Sequence, residues 1–228
     1  MFRAMAWKEL REIRGIAVAA MVMYGLITVG AIDPGSPLNL FGYLSMEWES
    51  GDRVPFVQGT FAGWFYFFAA VTAIALGLWQ TLGESVRGTY PFLLHRPASG
   101  RWLIGMKMLV GTAVYLTCTA VPLVIYSLWA ATPGTHGSPF EWSMTTPSWV
   151  AWWAITVLYL GAFLTGIRPG RWYRSRFLPL AAATFALIVV LGIASVFEGT
   201  LWPCWIVLAV DIWIIAMILF VARLRDYT

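Results

Sequence analysis

Apolar residues in this chain are gathered into six long runs, which short polar stretches separate. Every run has at least 18 residues, and a helix of that length rises about 27 Å, close to the roughly 30 Å thickness of a bilayer core. The pattern therefore predicts an all-α membrane protein with six transmembrane helices. The predicted spans are residues 15–32, 56–79, 102–130, 149–167, 177–197 and 204–222.

Residues 1–14 precede the first span and mix charged with apolar positions. Met5, Leu10 and Ile13 recur near helical spacing, while basic and acidic residues lie between them. This spacing predicts an amphipathic helix in the membrane interface, and a basic flank of the first span fits the pattern equally well. A signal peptide is disfavoured, because the apolar run that follows is longer than the usual span of about 7 to 15 residues.

The stretch between the second and third spans, residues 80–101, is polar and basic but carries the signals of a short helix. Thr89 fits an N-cap, and Pro91 fits the first turn, where a backbone N–H has no helical partner. Pro97 disfavours helical geometry at Arg96, so the helix should end there. About two helical turns are unstable alone in water. The segment is therefore predicted to need a protein or membrane surface to pack against.

The composition excludes a soluble globular domain. Only 11% of the residues are charged, 60% are hydrophobic and the mean hydropathy is +0.73, whereas soluble domains average about 25% charged residues. The net charge of +4 does not indicate a nucleic-acid partner, because the basic residues border apolar runs instead of forming one patch. No low-complexity linker divides the chain, so residues 1–228 are predicted to form a single domain.

The basic residues are distributed unevenly between the two predicted sides of the membrane. Of the 15 Lys and Arg residues, only Arg53 falls on the side opposite the N-terminus. By the positive-inside rule, both termini and residues 80–101 are predicted to face the cytoplasm. Lys107 lies near the start of the third span, and its ammonium group is predicted to extend to the interface.

Asp211 is the clearest candidate for chemistry inside the membrane. It lies well within the last span, and an ionisable residue at that depth marks a functional position by default. The alternative is a structural role, in which the carboxyl group is hydrogen-bonded to a threonine of a neighbouring helix. The threonines considered for that role are Thr112, Thr117, Thr156 and Thr184.

Other catalytic and metal-binding patterns are missing from the sequence. His95 and His136 are predicted to lie on opposite sides of the membrane, so no metal site is expected. Neither Lys8 nor Lys107 lies in a phosphate-binding loop, and no GxSxG sequence occurs. No catalytic residue is therefore predicted, and the energy for any transport against a gradient has to come from an ion or from another polypeptide.

Two segments resemble the permease subunits of ABC transporters of the ABC-2 type. They are WKELRE at residues 7–12 and GESVRGTYPFLLHRPASGRWLIGMK at residues 83–107. Six spans with both ends inside are also similar to the architecture of that family. In the family this loop often has a Glu, an Arg, Gly-Thr, an aromatic-leucine run and a basic-Pro pair, followed by a small residue, an Arg and a more distant Lys. The matching positions here are Glu84, Arg87, Gly88, Thr89, Phe92, Leu93, Leu94, Arg96, Pro97, Ser99, Arg101 and Lys107.

The resemblance implies an exporter subunit with a cytoplasmic coupling helix, between the second and third spans, that docks into a cleft on a separate ABC ATPase. ATP and Mg are expected on that partner, and no cofactor is expected in this chain. A second permease subunit, identical or different, is expected beside it in the cell membrane, inner or plasma. The residues implied in ATPase coupling are Glu84, Arg87, Gly88, Thr89, Phe92, Leu93, Leu94, His95, Arg96 and Pro97, and those implied in an interfacial elbow are Trp7, Lys8, Leu10 and Arg11.

Two other function classes remain open from the sequence. A non-transporting membrane anchor or sensor that recruits an ATPase needs the same spans and the same docking segment. An intramembrane hydrolase or transferase would use Asp211. The intramembrane enzyme is disfavoured, because the predicted spans contain no second catalytic polar residue.

Overall fold

The computed structural model of the chain describes residues 2–33, 35–38, 40, 54–56, 60–87, 100–137, 139–168, 175–196 and 200–224. Within these ranges the protein is all-helical. A short 3-10 helix, Trp142–Thr145, directly precedes the α-helix that begins at Thr146. The α-helices are α1 (Phe2–Ile32), α2 (Thr60–Arg87), α3 (Gly100–Ala131), α4 (Thr146–Ala154), α5 (Thr156–Ile167), α6 (Leu178–Val196) and α7 (Pro203–Leu224).

Among the described residues, six helical segments are long and apolar enough to cross a membrane. α1, α2, α3, α6 and α7 each supply one, and the fourth combines the 3-10 helix, α4 and α5 over Trp142–Ile167. The prediction of an all-α, multi-pass membrane protein is therefore confirmed for the described residues. The fourth span begins at Trp142, before the predicted residue 149, because the 3-10 helix leads directly into α4, which has a proline in its first turn, where proline is favoured.

The fourth span occupies the centre of the bundle. Every residue of α5 is buried, and α5 packs against α2, α6 and α7. A Cβ atom on Gly77 of α2 would lie 2.6 Å from the backbone oxygen of Tyr159 and 2.8 Å from the Cβ of Ala162. Small residues at such contacts let the backbones of membrane helices approach each other closely. Gly77 therefore sets how near α2 can come to α5.

The outer helices turn apolar faces outward, and α1 packs mainly on α2 and α3 and not on α5. α1, α2 and α3 pack against one another, and α6 and α7 pack against α5 and against each other. Phe185 of α6 and Trp205 of α7 are 70% and 73% exposed. Lipid tails are as apolar as these side chains, so in a bilayer such faces need no protein cover.

Contacts between residues near four helix ends show that these ends lie together. Glu9, near the start of α1, contacts Lys107, near the start of α3, and Gln80, near the end of α2, contacts the same lysine. Thr81 of α2 lies against Gly166 near the end of α5. The start of α1, the end of α2, the start of α3 and the end of α5 therefore share one end of the bundle, which we call the N-terminal end.

Two predicted boundaries differ from the structure. α1 is one continuous helix, so residues 2–14, the described part of the predicted elbow (residues 1–14), are not a separate element but the first part of the helix that forms the first span. α2 continues to Arg87, so residues 80–87, predicted to belong to the connecting segment, are helical. In the sequence, the polar side chains of Gln80 and Thr81 indicate a loop. In the structure both are buried and hydrogen-bonded, so the helix continues through them.

Candidate functional site

A buried ion pair connects α1 to α3 at the N-terminal end of the bundle. The Nζ atom of Lys107 lies 2.8 Å from Oε2 of Glu9, and the two side chains are 4% and 0% exposed. The Nζ atom of Lys8 lies 3.7 Å from the other carboxylate oxygen of Glu9. Taking two charges out of water is costly, and their attraction offsets that cost only when the geometry is good. The pair therefore favours one relative position of α1 and α3.

A chain of hydrogen bonds extends from this ion pair to α2 and α5. Nε2 of Gln80 donates to the backbone oxygen of Lys107 at 3.1 Å, and the hydroxyl of Tyr159 donates to Oε1 of Gln80 at 2.7 Å. The same hydroxyl lies 3.1 Å from another backbone oxygen of α3. A Cβ atom on Gly111 would collide with both Gln80 and Tyr159, so glycine leaves room for these bonds. We call Glu9, Gln80, Lys107 and Tyr159 the polar cluster.

The positions of Glu9 and Lys107 correct two expectations from the sequence. Lys107 is buried and does not extend to the interface, because Glu9 supplies a carboxylate opposite it. Glu9 lies on a buried stripe with Met5 and Ile13, at a spacing of four residues, whereas Leu10 of the predicted apolar face is 39% exposed. The signal in the sequence was a single lysine between apolar residues of a span, which needs an acidic partner when it is buried.

The predicted elbow residues lie on the outer side of α1. Trp7 is 68% exposed, and Leu10 and Arg11 are also exposed. Lys8 is half-buried and lies 3.5 Å from Oε1 of Glu12, one turn along the helix. Of the four elbow residues, Lys8 is the one that approaches the polar cluster, through the carboxylate of Glu9.

The predicted ATPase-coupling residues lie at the end of α2 and in the connection that follows it. Glu84 and Arg87 belong to the last turn of α2. Gln80 lies seven residues before that end, and Lys107 lies seven residues after the start of α3 at Gly100, about 10 Å along each helix. The polar cluster is therefore close to both ends of the connection. The coupling residues that lie outside the described residues are Gly88, Thr89, Phe92, Leu93, Leu94, His95, Arg96 and Pro97.

A second polar site surrounds Asp211 of α7, in the middle of the bundle. Asp211 shares a buried stripe with Val207 and Ile214 and is 7% exposed. Its Oδ2 atom accepts a hydrogen bond of 2.8 Å from the hydroxyl of Thr156. The hydrogen bond expected for a structural role is thus present, and Thr156 is the one of the four candidate threonines that makes it.

Thr156 lies at a break in the fourth span. Ile155 belongs to neither α4 nor α5, and Thr156 is the first residue of α5. The Thr156 hydroxyl lies 2.7 Å from the backbone oxygen of Trp153, and the hydroxyl of Tyr115 donates to the backbone oxygen of Trp152 at 3.2 Å. The Tyr115 hydroxyl therefore satisfies a backbone oxygen beside the break, as membrane-embedded backbone requires.

Comparison of the chain with protein-family models, with curated proteins and with solved structures finds no match. The two polar sites and the sequence pattern are therefore the basis for assigning a function. The polar cluster links the helices that flank residues 88–99, and Asp211 links α7 to the break in the fourth span.

Proposed function

We propose that this chain is the membrane-spanning permease subunit of an ATP-driven ABC transporter, an exporter of the ABC-2 type. The observation that carries the proposal is the position of the polar cluster. The cluster links α1, α2, α3 and α5 near the point where residues 88–99 connect α2 to α3. Polar contacts in buried surroundings are costly to break. A displacement of this connection is therefore passed to four helices, including the central one.

Residues 88–99 are the proposed docking site for a separate cytoplasmic ABC ATPase. The apolar residues 92–94 supply a ridge that can enter a cleft, and His95 and Arg96 supply charge for an acidic rim. Arg87, in the last turn of α2, lies next to this site along the chain. Closure of the ATPase would pull on this segment, and the polar cluster would carry the movement into the bundle.

The proposal divides the work between subunits. The partner binds ATP and Mg²⁺ and hydrolyses the nucleotide, while this chain and a second permease subunit, identical or different, form the path. The excess of Lys and Arg on the N-terminal side supports placing both termini and residues 88–99 in the cytoplasm, with the bundle in the cell membrane. The exposed Trp7 and Leu10 beside Arg11 support an interfacial role for the start of α1.

Two variants of the docking segment test this function. The tagged wild-type chain, purified from its native membrane, is expected to retain a subunit that contains a phosphate-binding loop and hydrolyses ATP. The substitution Arg96→Glu, and the double substitution Phe92→Ala with Leu93→Ala, are expected to lower the yield of that subunit at least tenfold. The reason is that loss of an interface anchor costs roughly 2 kcal/mol or more, and about 1.4 kcal/mol corresponds to tenfold in affinity.

The control is Arg53→Glu, which makes the same charge reversal on the side predicted to face away from the ATPase. This variant is expected to retain the ATPase at the wild-type yield. Undiminished yield with both docking variants contradicts docking at residues 88–99. A wild-type assembly that contains no nucleotide-binding subunit contradicts the proposed function itself.

A further inference from the structure

The carboxyl group of Asp211 is buried halfway through the membrane-spanning bundle. Asp211 lies eight residues after the start of α7 at Pro203, which corresponds to about 12 Å along the helix. Its Oδ2 atom accepts the hydrogen bond from Thr156, whereas no donor among the described residues reaches its Oδ1 atom. A buried polar atom without a partner costs free energy, so such an atom requires an explanation.

The break in the fourth span lies beside this carboxyl group, but no donor among the described residues at the break reaches Oδ1. Ile155 keeps right-handed helical dihedral angles, its N–H donates to the backbone oxygen of Ala151, and the N–H of Leu158 donates to the backbone oxygen of Ile155. An apolar membrane interior favours the neutral form of a carboxyl group. A buried carboxyl group with one unpartnered oxygen is therefore suited to carry a proton.

We propose that Asp211 is an intramembrane proton-binding site, with Oδ1 as the atom that takes the proton and Thr156 holding Oδ2. The ligands present at the site argue for a proton and against a metal cation. Hard metal cations take roughly six or more oxygen ligands, whereas the Thr156 hydroxyl already donates to the carboxyl group. Across the described ranges, no three His, Cys, Asp or Glu side chains are grouped as metal ligands. A proton needs only the one carboxyl oxygen.

The ionisable groups near Asp211 are few in the helices packed against α7. α3 contributes Tyr115, whose hydroxyl donates to the backbone oxygen of Trp152, and the buried Cys118. α5 contributes Tyr159, whose hydroxyl is bound to Gln80 in the polar cluster. α4 and α6 contain no ionisable side chain. Asp211 is therefore the carboxyl group of this site, and the buried Lys107 of α3 is paired with Glu9 instead.

This inference goes beyond the proposed function and does not depend on an ATPase partner. Oδ1 lies in a buried site, so a proton can leave only if α7 moves relative to the break in the fourth span and admits water. Uptake and release of a proton would then accompany a rearrangement of α7 against α5.

Infrared difference spectroscopy of the full-length chain in lipid vesicles tests the site directly. At neutral pH, where exposed carboxyl groups are ionised, the wild-type chain is expected to show the C=O stretching band of a protonated carboxyl group. Asp211→Asn is expected to remove that band, and Asp33→Asn, at an exposed carboxyl group beyond the end of α1, is expected to leave it unchanged. A spectrum in which Asp211→Asn removes only a carboxylate band overturns the proposal.

Two further measurements test whether Thr156 binds the carboxyl group and whether the site binds sodium in place of a proton. Thr156→Val keeps Asp211 but removes its hydrogen-bond donor, so the band is expected to shift in frequency, while Thr156→Ser is expected to keep the wild-type frequency. Replacement of the choline chloride in the buffer with sodium chloride, at constant pH, is expected to leave the band in place. A band that Thr156→Val does not shift, or that sodium removes, overturns the assignment of a proton to this site.

Discussion

Replacement of Glu9 with glutamine is expected to unfold the bundle at a markedly lower temperature. The substitution preserves the shape of the side chain but removes the carboxylate that lies 2.8 Å from Nζ of Lys107, itself 4% exposed. Breaking a buried ion pair by removing one partner costs about 3–5 kcal/mol, because the remaining charge is poorly compensated. In a chain of 228 residues, 1 kcal/mol lowers the melting temperature by about 2–4 °C. The expected decrease is therefore roughly 6 to 20 °C.

Tryptophan fluorescence of the purified chain during heating measures this decrease, since 14 Trp residues report on unfolding. Glu12→Gln is the matched control. Glu12 pairs with Lys8 at 3.5 Å on the same helix, but both side chains are about 30% exposed. An ion pair of this kind contributes about 0.3–0.5 kcal/mol, so the control is expected to melt within about 2 °C of the wild type.

A double substitution separates the charge effect from general damage to the helix. Glu9→Gln combined with Lys107→Met removes both charges and fills a similar volume, so it is expected to recover part of the stability that Glu9→Gln loses. If Glu9→Gln melts no lower than Glu12→Gln, the ion pair does not stabilise the bundle. It then cannot be the link between α1 and α3 that the proposed function requires.

Two further substitutions test the contacts of α5. Gly77→Ala is expected to cost about 1–3 kcal/mol, because its Cβ would lie 2.6 Å from the backbone oxygen of Tyr159. Gly63→Ala, where the new Cβ meets no neighbouring group within 4 Å, is expected to be neutral or to stabilise the helix by up to about 1 kcal/mol. Equal melting temperatures for the two would contradict the close packing of α2 on α5. Tyr159→Phe removes the hydroxyl that donates to Gln80 and is expected to cost about 1–3 kcal/mol. It should melt below Tyr66→Phe, whose hydroxyl is only part-buried, and the reverse order would show that Tyr159 does not join the polar cluster to α5.

The number of spans follows from the sequence because the length of an apolar run is a local property. Six runs predict six spans, and the described part of the chain contains six helical segments of the required length and hydropathy. Segment ends are less predictable, because a polar residue ends a span only when nothing in the bundle satisfies it. Gln80 and Thr81 indicate a loop by composition, yet their hydrogen bonds inside the bundle allow α2 to continue to Arg87.

Asp211 could be identified from the sequence because an acidic residue is conspicuous among apolar neighbours. The expected type of partner, a threonine, is present, but the choice of Thr156 depends on how α7 packs against the break at Ile155. The break itself has no proline or glycine signal in the sequence, since Ala154 and Thr156 flank it. The coupling residues between Gly88 and Pro97 stay a prediction, because they lie outside the described residues.

The sequence by itself determined that this chain is a multi-pass helical membrane protein, because hydropathy is a sum over neighbouring residues. Only the tertiary structure decided which polar side chains are buried together. Glu9 and Lys107 are 98 positions apart in the chain, and each alone has the appearance of a charge at the edge of a span. Their burial becomes favourable only when α1 and α3 bring the two charges within 2.8 Å, a condition that no local pattern contains.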